Sequence, residues 1–301
     1  MTAEITLPTA KELGLSVRFI KRGPGGIKTH KKASAELREA KKVRSSKRAK
    51  VTVDIFDSPE LKEWNNETGR LRSYVEHVCP PYGMGGERFL ANQLIPEFTQ
   101  KTDAGLIECK KWEDAFLASL HILKVRYESD GGDLSDLPWP TLEELRSKFH
   151  VEIDVNELSD VQDVRLGGVN EEQRSRYEQE VRNTHERKIR GVIRHCSEEV
   201  ETRLTSVIQK MNDFKPRDGD KKAEGVFRDS LIGNVKEIAG LLEHWNITND
   251  PAVDAVRRRL LTDIGSVNPS DLRSDENLRR KVKRNAEDIL SRVGAFGQVK
   301  D

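Results

Sequence analysis

Cysteine is scarce, with three in 301 residues. Cys79, Cys109 and Cys196 are widely spaced and odd in number, with no Cys-x-x-Cys and no metal-type histidine pairing nearby. This excludes a disulfide framework or a zinc ribbon and points to a reducing, cytoplasmic setting. Apolar runs are short: none approaches the eighteen or so residues of a membrane span, and no apolar stretch with a small-residue cleavage site opens the chain. No membrane association is expected, and the Asn-x-Thr sequons at Asn66 and Asn246 read as accidental. Aromatic residues make up only 6%, which is few for a protein that stacks single-stranded bases.

Catalytic signatures are missing as well. His185-Glu186 suggests a zinc-protease helix, but the second histidine belongs at 189, where Ile189 stands. His195 and Cys196 are neighbours, about 100° apart on a helix, a poor geometry for a catalytic pair. No Gly-x-Ser-x-Gly occurs. Lys21-Arg22-Gly23-Pro24-Gly25-Gly26 lacks the Lys-Ser/Thr ending of a P-loop, and Gly83-Met84-Gly85-Gly86 has no clear strand before it, so loop flexibility accounts for its glycines. The acids of Asp130 to Asp136 are three apart and lack a closing glutamate, which indicates a turn and not a calcium loop. No catalytic residue, metal or cofactor is expected.

What the chain does have is charge, 34% of residues, and it is unevenly placed. Residues 18 to 50 hold thirteen Lys or Arg against two Glu, while the formal net charge of the whole chain is +1. A basic arm is thus joined to a mildly acidic body, and such an arm either attracts polyanions or keeps a terminus soluble.

The dominant element is a long amphipathic helix from about 170 to 212. Tyr177, Val181, Ile189, Val192, Ile193, Cys196, Val200, Leu204, Val207, Ile208 and Met211 recur at steps of three or four, apart from the adjacent residues at 192–193 and 207–208 and one gap of eight. Arg174, Glu178, Arg182, Glu186, Arg190, Arg194 and Glu198 form a second row in which neighbouring turns mostly pair opposite charges, each such pair contributing about 0.3 kcal/mol. Such a helix is about 60 Å long, and Gly191 is its candidate bend. The stripe is dense only from Ile189 onward. The first half therefore projects or pairs with another copy, with Tyr177, Val181 and His185 as candidate interface residues.

Before the helix, alternation predicts strands at 15 to 19, at 51 to 56 pairing with the first, and at 151 to 155, with a further extended piece near Val164. The basic segment from 28 to 50 has a thin helical stripe (Ala33, Ala35, Leu37, Ala40, Val43) and forms a cross-over or flap between the first two strands. Ser58 and Pro59 open a helix that Pro80-Pro81 ends, and an irregular loop leads to Arg88-Phe89-Leu90-Ala91-Asn92. Trp112, Phe116, Leu120, Leu123 and Tyr127 mark a helix over 110 to 128. Thr141 and Glu144 make a capping box for a short helix over 142 to 149. After a linker at 213 to 225, three helices follow: one ending at Trp245, one opened by Asp250-Pro251, and one capped by Ser274. The expected fold is α+β and predominantly α. It comprises a basic strand and arm (1–50), an α+β domain (51–168), the long helix (169–212), the linker (213–225) and a helical bundle (226–296).

Three stretches, in this order, resemble an uncharacterised family of bacteriophages and mobile elements, a domain of unknown function. They are Tyr82 to Phe98; Trp139-Pro140-Thr141-Leu142-Glu143-Glu144-Leu145-Arg146-Ser147-Lys148-Phe149; and Phe227-Arg228-Asp229-Ser230-Leu231 through Asn249-Asp250-Pro251. The likeness covers about residues 70 to 293 and leaves the basic arm outside it. It implies a bacterial host cell and company with phage DNA-handling genes, sometimes near a AAA-type ATPase; it implies no activity.

The leading expectation is a non-enzymatic phage protein that grips DNA or RNA backbone, without sequence specificity, during replication or recombination. Lys28, Lys31, Lys32, Lys41, Lys42, Lys47 and Arg48 are the expected phosphate contacts, with Arg279, Arg280 and Lys283 on the last helix, where a solvated face is the other reading. The alternative is a helical adaptor that forms a homo-oligomer or joins a AAA-type ATPase through the long helix. A third reading is an inhibitor of a host defence protein.

Overall fold

The computed structural model describes residues 13–25, 27–29, 31–43, 49–83, 85–129, 139–158, 170–215, 228–294 and 296. The fold is α+β and predominantly α. Its elements in order are β1 (Gly14–Arg22), β2 (Ile27–Thr29), α1 (Lys31–Ala40), β3 (Thr52–Asp54), α2 (Pro59–Val78), β4 (Arg88–Ala91) and α3 (Ile95–Ser129). Then follow α4 (Leu142–Arg146), β5 (His150–Glu157), α5 (Glu171–Asp213), α6 (Ser230–Trp245), α7 (Pro251–Arg259), α8 (Pro269–Ser274) and α9 (Glu276–Val293). A π-helical turn, Leu260–Gly265, prolongs α7.

Two compact units result, and they interleave along the chain instead of following consecutive blocks. One comprises Met1–Val17, Glu76–Ile95 and Val155–Asp301; the other comprises Arg18–Val75 and Pro96–Asp154. The core of the second unit gathers Phe56, Trp64, Phe116, Leu120, Leu145 and Phe149. Trp64 meets the Phe149 ring edge-on at 5.0 Å and Phe56 meets Phe116 at 5.4 Å, a geometry that adds to simple area burial. Gly23 is required here, since a Cβ would stand 2.6 Å from the Trp64 ring.

In the other unit the C-terminal half of α5 is the central post. Ile189, Val192, Cys196, Val200, Leu204, Val207 and Met211 are all buried, and burial begins at Ile189, as the density of the stripe predicts. Helices α6 and α9 pack along it. Its start is fixed by a capping box: Gln173 N donates to Asn170 Oδ1 at 2.8 Å and Asn170 N to Gln173 Oε1 at 3.3 Å. The helix runs through Gly191 without interruption.

The sheet departs from expectation. Its order is β4-β1-β5, while β2 pairs only with β3. Residues 51 to 56 therefore do not pair with β1. Their strand is three residues long, after which Ile55 and Phe56 turn into the core. The neighbour of β1 is instead β4, antiparallel with Leu15 opposite Leu90 and Val17 opposite Arg88, a stretch read above as following an irregular loop. A Cβ on Gly14 would fall 2.0 Å from the Leu90 carbonyl oxygen, so the pairing needs glycine there. The helix read at 110 to 128 begins fifteen residues earlier, at Ile95.

Thr141 and Glu144 do form their capping box, and the helix ends at Arg146. Ser58 Oγ accepts from Leu61 N at 3.2 Å at the head of α2, and Asp250 caps α7. Ser274 is not the cap of the last helix. It ends α8, and Asp275 accepts from Leu278 N at 3.0 Å to start α9. The extended piece near Val164, the Asp130 to Asp136 turn and the linker beyond Lys215 lie outside the described residues.

Candidate polyanion-binding surface

The described part of the basic segment belongs to the second unit. β2 and β3 form a short antiparallel pair with Lys28 opposite Val53, and α1 spans the chain between them. Ser34, buried on the inner side of α1, accepts a hydrogen bond from Val51 N at 2.9 Å and so ties the helix to the start of β3. At the far end Val43 N donates to Arg38 O at 2.9 Å and Lys42 N to Glu39 O at 3.1 Å. This closes a Schellman-type turn. Lys42 takes the left-handed position, φ +53, which glycine usually fills, and Lys41 and Lys42 sit where the helix dipole favours cations.

Lys32, Lys41 and Lys42 are exposed, as is Lys50. None of the four makes an ion pair with a described residue, although Glu36 and Glu39 share the helix. Several cations elsewhere do pair with acids on their own helix: Lys101 with Glu97 at 2.7 Å, Lys111 with Glu108 at 2.9 Å, Arg174 with Glu178 at 3.0 Å. Lys28 lies in β2 and Lys31 opens α1; Lys47 and Arg48 lie outside the described residues.

The C-terminal cations belong to a different setting. Arg279 is buried at 8% exposure. Its Nη1 donates to the carbonyls of Leu272 at 2.8 Å and Arg273 at 3.2 Å, and its guanidinium lies 4.7 Å over the Phe214 ring. It caps the last carbonyls of α8 and is a structural residue, not a phosphate contact. Arg280 pairs with Glu276 and Lys283 with Glu287 at 3.6 Å, each one turn away. These cations are neutralised by their own helix.

The residues proposed for a partner interface divide. Tyr177 is exposed, while Val181 and His185 are half-buried. His185 Nδ1 lies 3.2 Å from the Tyr82 hydroxyl, and the neighbouring Lys188 Nζ lies 3.1 Å from Glu87 and 4.9 Å over the Tyr82 ring. Burial, then the nearby Glu87, pushes the Tyr82 hydroxyl up to about 12. The role of Tyr82 and Glu87 has no periodic signal in the sequence. They reach α5 from a loop in which Gly83, Gly85 and Gly86 hold φ of +98, +75 and +83. Backbone conformation, not flexibility, is what those glycines supply. Tyr82, Tyr177, Glu180, Val181 and His185 line one cleft of about 510 Å³.

The three thiols are buried. Desolvation raises Cys79 to about 12, Cys109 to about 11 and Cys196 to about 12, which makes them poor nucleophiles. Among the described residues no three His, Cys, Asp or Glu side chains gather as a metal site, and no helix is long and apolar enough to cross a membrane.

The class defined by fold and surface is a helix-dominated α+β protein whose α1, between two short strands, displays Lys32 and, at its end, Lys41 and Lys42 without an acidic partner among the described residues. Compared with family models, curated proteins and solved structures, the chain shows no match.

Proposed function

We propose that this protein binds nucleic-acid backbone through the β2–α1–β3 segment, as a non-enzymatic factor. The observation that carries the reading is a group of exposed lysines on and beside α1 without acidic partners. Lys32, Lys41, Lys42 and Lys50 are exposed and have no acidic partner among the described residues, whereas several cations on the other helices, Lys101, Arg174 and Arg280 among them, are matched one turn away. Unpaired lysines on a tethered helix bind phosphates by releasing condensed counterions and need no desolvated ion pair to be broken first. Contacts of this kind read the backbone and not the sequence. The place of the activity in phage replication or recombination rests on the resemblance of residues 82–98, 139–149 and 227–251 to the phage family.

The test is a gel shift with single- and double-stranded DNA and RNA at two salt concentrations. If four lysines each meet a phosphate, affinity falls about 150-fold for duplex DNA and about 50-fold for single strands between 50 and 200 mM salt. The variant K32E/K41E/K42E loses binding. Salt-independent binding, or binding untouched by that triple change, refutes the reading.

A second reading, assembly with another copy or with a AAA-type ATPase through the first half of α5, is supported by one observation. From Glu171 to Tyr177 every residue of that helix is exposed. Light scattering of the purified chain decides it: a dimer or larger, dissociated by Tyr177→Glu, supports self-assembly, and a monomer at high concentration counts against it.

A further inference from the structure

The outer face of α5 carries Thr184, Arg187, Gly191, Arg194 and Glu198 at steps of three and four, which places them in one row. Opposite that row, within the same unit, stands the loop from Pro81 to Glu87. The two enclose a cleft of about 520 Å³, a size typical of small-molecule sites. Gly191 sits midway along its floor. A Cβ there would meet no atom within 4 Å and the backbone is helical, so neither packing nor backbone geometry calls for glycine. Since glycine weakens a helix interior relative to alanine, its evident effect is to keep the floor open.

On either side of that opening stand Arg187 and Arg194, separated by about 10 Å of helix axis. Arg187 is oriented without being neutralised: Nη2 donates to Thr184 Oγ1 at 3.0 Å and Nε to the Asn183 carbonyl at 3.4 Å. No acid among the described residues pairs with it, and its remaining donors are available to an anion. Arg194 is held loosely, 3.6 Å from Glu198. Lys188, deeper in the cleft, is matched by Glu87. His195 lines the same wall with its ring 5.5 Å from that of Trp245. Burial lowers its pKa, so it offers a neutral ring N–H or lone pair and no second charge. Gly83, at φ +98, brings the opposite wall so near that a Cβ there would stand 2.8 Å from Lys188 Cε.

We propose that this cleft binds the phosphate group of a small ligand, with the Arg187 guanidinium taking the phosphate, Arg194 flanking it, and Gly191 leaving the space the ligand occupies. A planar, fixed guanidinium suits bidentate phosphate recognition, and a floor without a side chain lets the anion lie against the helix. The site shares no residue with the basic segment, and the proposal stands whether or not that segment binds nucleic acid.

The experiment titrates the full-length protein with inorganic pyrophosphate, with AMP and with a short single-stranded oligonucleotide, by calorimetry and by backbone amide shifts. Binding of pyrophosphate or AMP, weakened at least tenfold by R187Q and by G191L and unchanged in K32E/K41E/K42E, supports a free-phosphate ligand. Oligonucleotide binding that falls in R187Q and G191L, without binding of pyrophosphate or AMP, overturns the small-ligand proposal, because the cleft then takes the backbone phosphates of a nucleic acid. G191A serves as the control for folding, since it adds only a methyl group in open space; its melting temperature stays at or above that of the parent. Absence of binding by all three probes, or binding that R187Q and G191L leave intact, overturns the proposal.

Discussion

The Trp245 indole N–H donates to the Val78 carbonyl across 3.0 Å, joining positions 167 apart in the chain. Val78 closes α2, where carbonyls lack partners within the helix, and the side chain that ends α6 satisfies one of them. Trp245 is also 1% exposed. Trp245→Phe is expected to cost about 1–3 kcal/mol through the orphaned carbonyl, and Trp245→Ala about 3–5 kcal/mol through the cavity. Urea unfolding measures both, and a loss below half a kcal/mol for the Phe variant contradicts the role of the bond.

Arg279 and Arg280 are adjacent but predict opposite outcomes. Arg279→Leu removes the donor that caps Leu272 and Arg273 and should cost about 2–4 kcal/mol. Arg280→Ala breaks only an exposed ion pair with Glu276, and should lie within about 0.5 kcal/mol of the parent. Equal costs would show that Arg279 is not the structural residue its burial indicates.

Glycine substitutions separate required from replaceable positions. Gly14→Ala drives a methyl into the Leu90 carbonyl and should destabilise by about 2–3 kcal/mol. Gly233 and Gly240 lie within α6 with nothing within 4 Å of an added Cβ. Gly233→Ala and Gly240→Ala should each stabilise by up to about 1 kcal/mol, read as a rise in melting temperature.

Burial holds His195 below its ordinary value of 6.5, opposed by Glu199 and Glu198 and reinforced by Arg88. The unfolded chain therefore binds a proton at this site at higher pH than the folded one. The associated stability is full above about pH 6.5. It declines as pH falls from there to the folded value and levels off below it. His195→Gln should flatten that part of the stability curve between pH 7 and 5. A slope unchanged by the substitution assigns it to other groups.

The thiols should resist labelling. With Cys79, Cys109 and Cys196 buried and raised to about 12, 11 and 12, a disulfide reagent at pH 8 should react with them only as fast as the protein opens, and fully in urea. Rapid reaction of one thiol in the native protein would place that thiol at a mobile surface.

Sequence alone determined what depends on near neighbours. The burial of α5 from Ile189 onward follows from 3.6-residue periodicity. The capping box at Thr141 and Glu144 and the Ser58-Pro59 and Asp250-Pro251 helix starts are set within a few residues of chain. Tertiary structure decided what depends on distant partners. Residues 88–91, a short run after a glycine loop, carry no alternation long enough to distinguish strand from core segment, and become β4 only because Gly14 lets β1 approach. Arg279 stands in a run of cations indistinguishable in sequence, and only the packing of α8 and Phe214 against it turns one of them inward. The cleft beside Gly191 has the same origin, because the left-handed glycines that carry Tyr82 and Glu87 to the helix lie about a hundred residues before it. Local propensity is written in adjacent residues, whereas a surface site is formed by residues that meet only after the chain has packed.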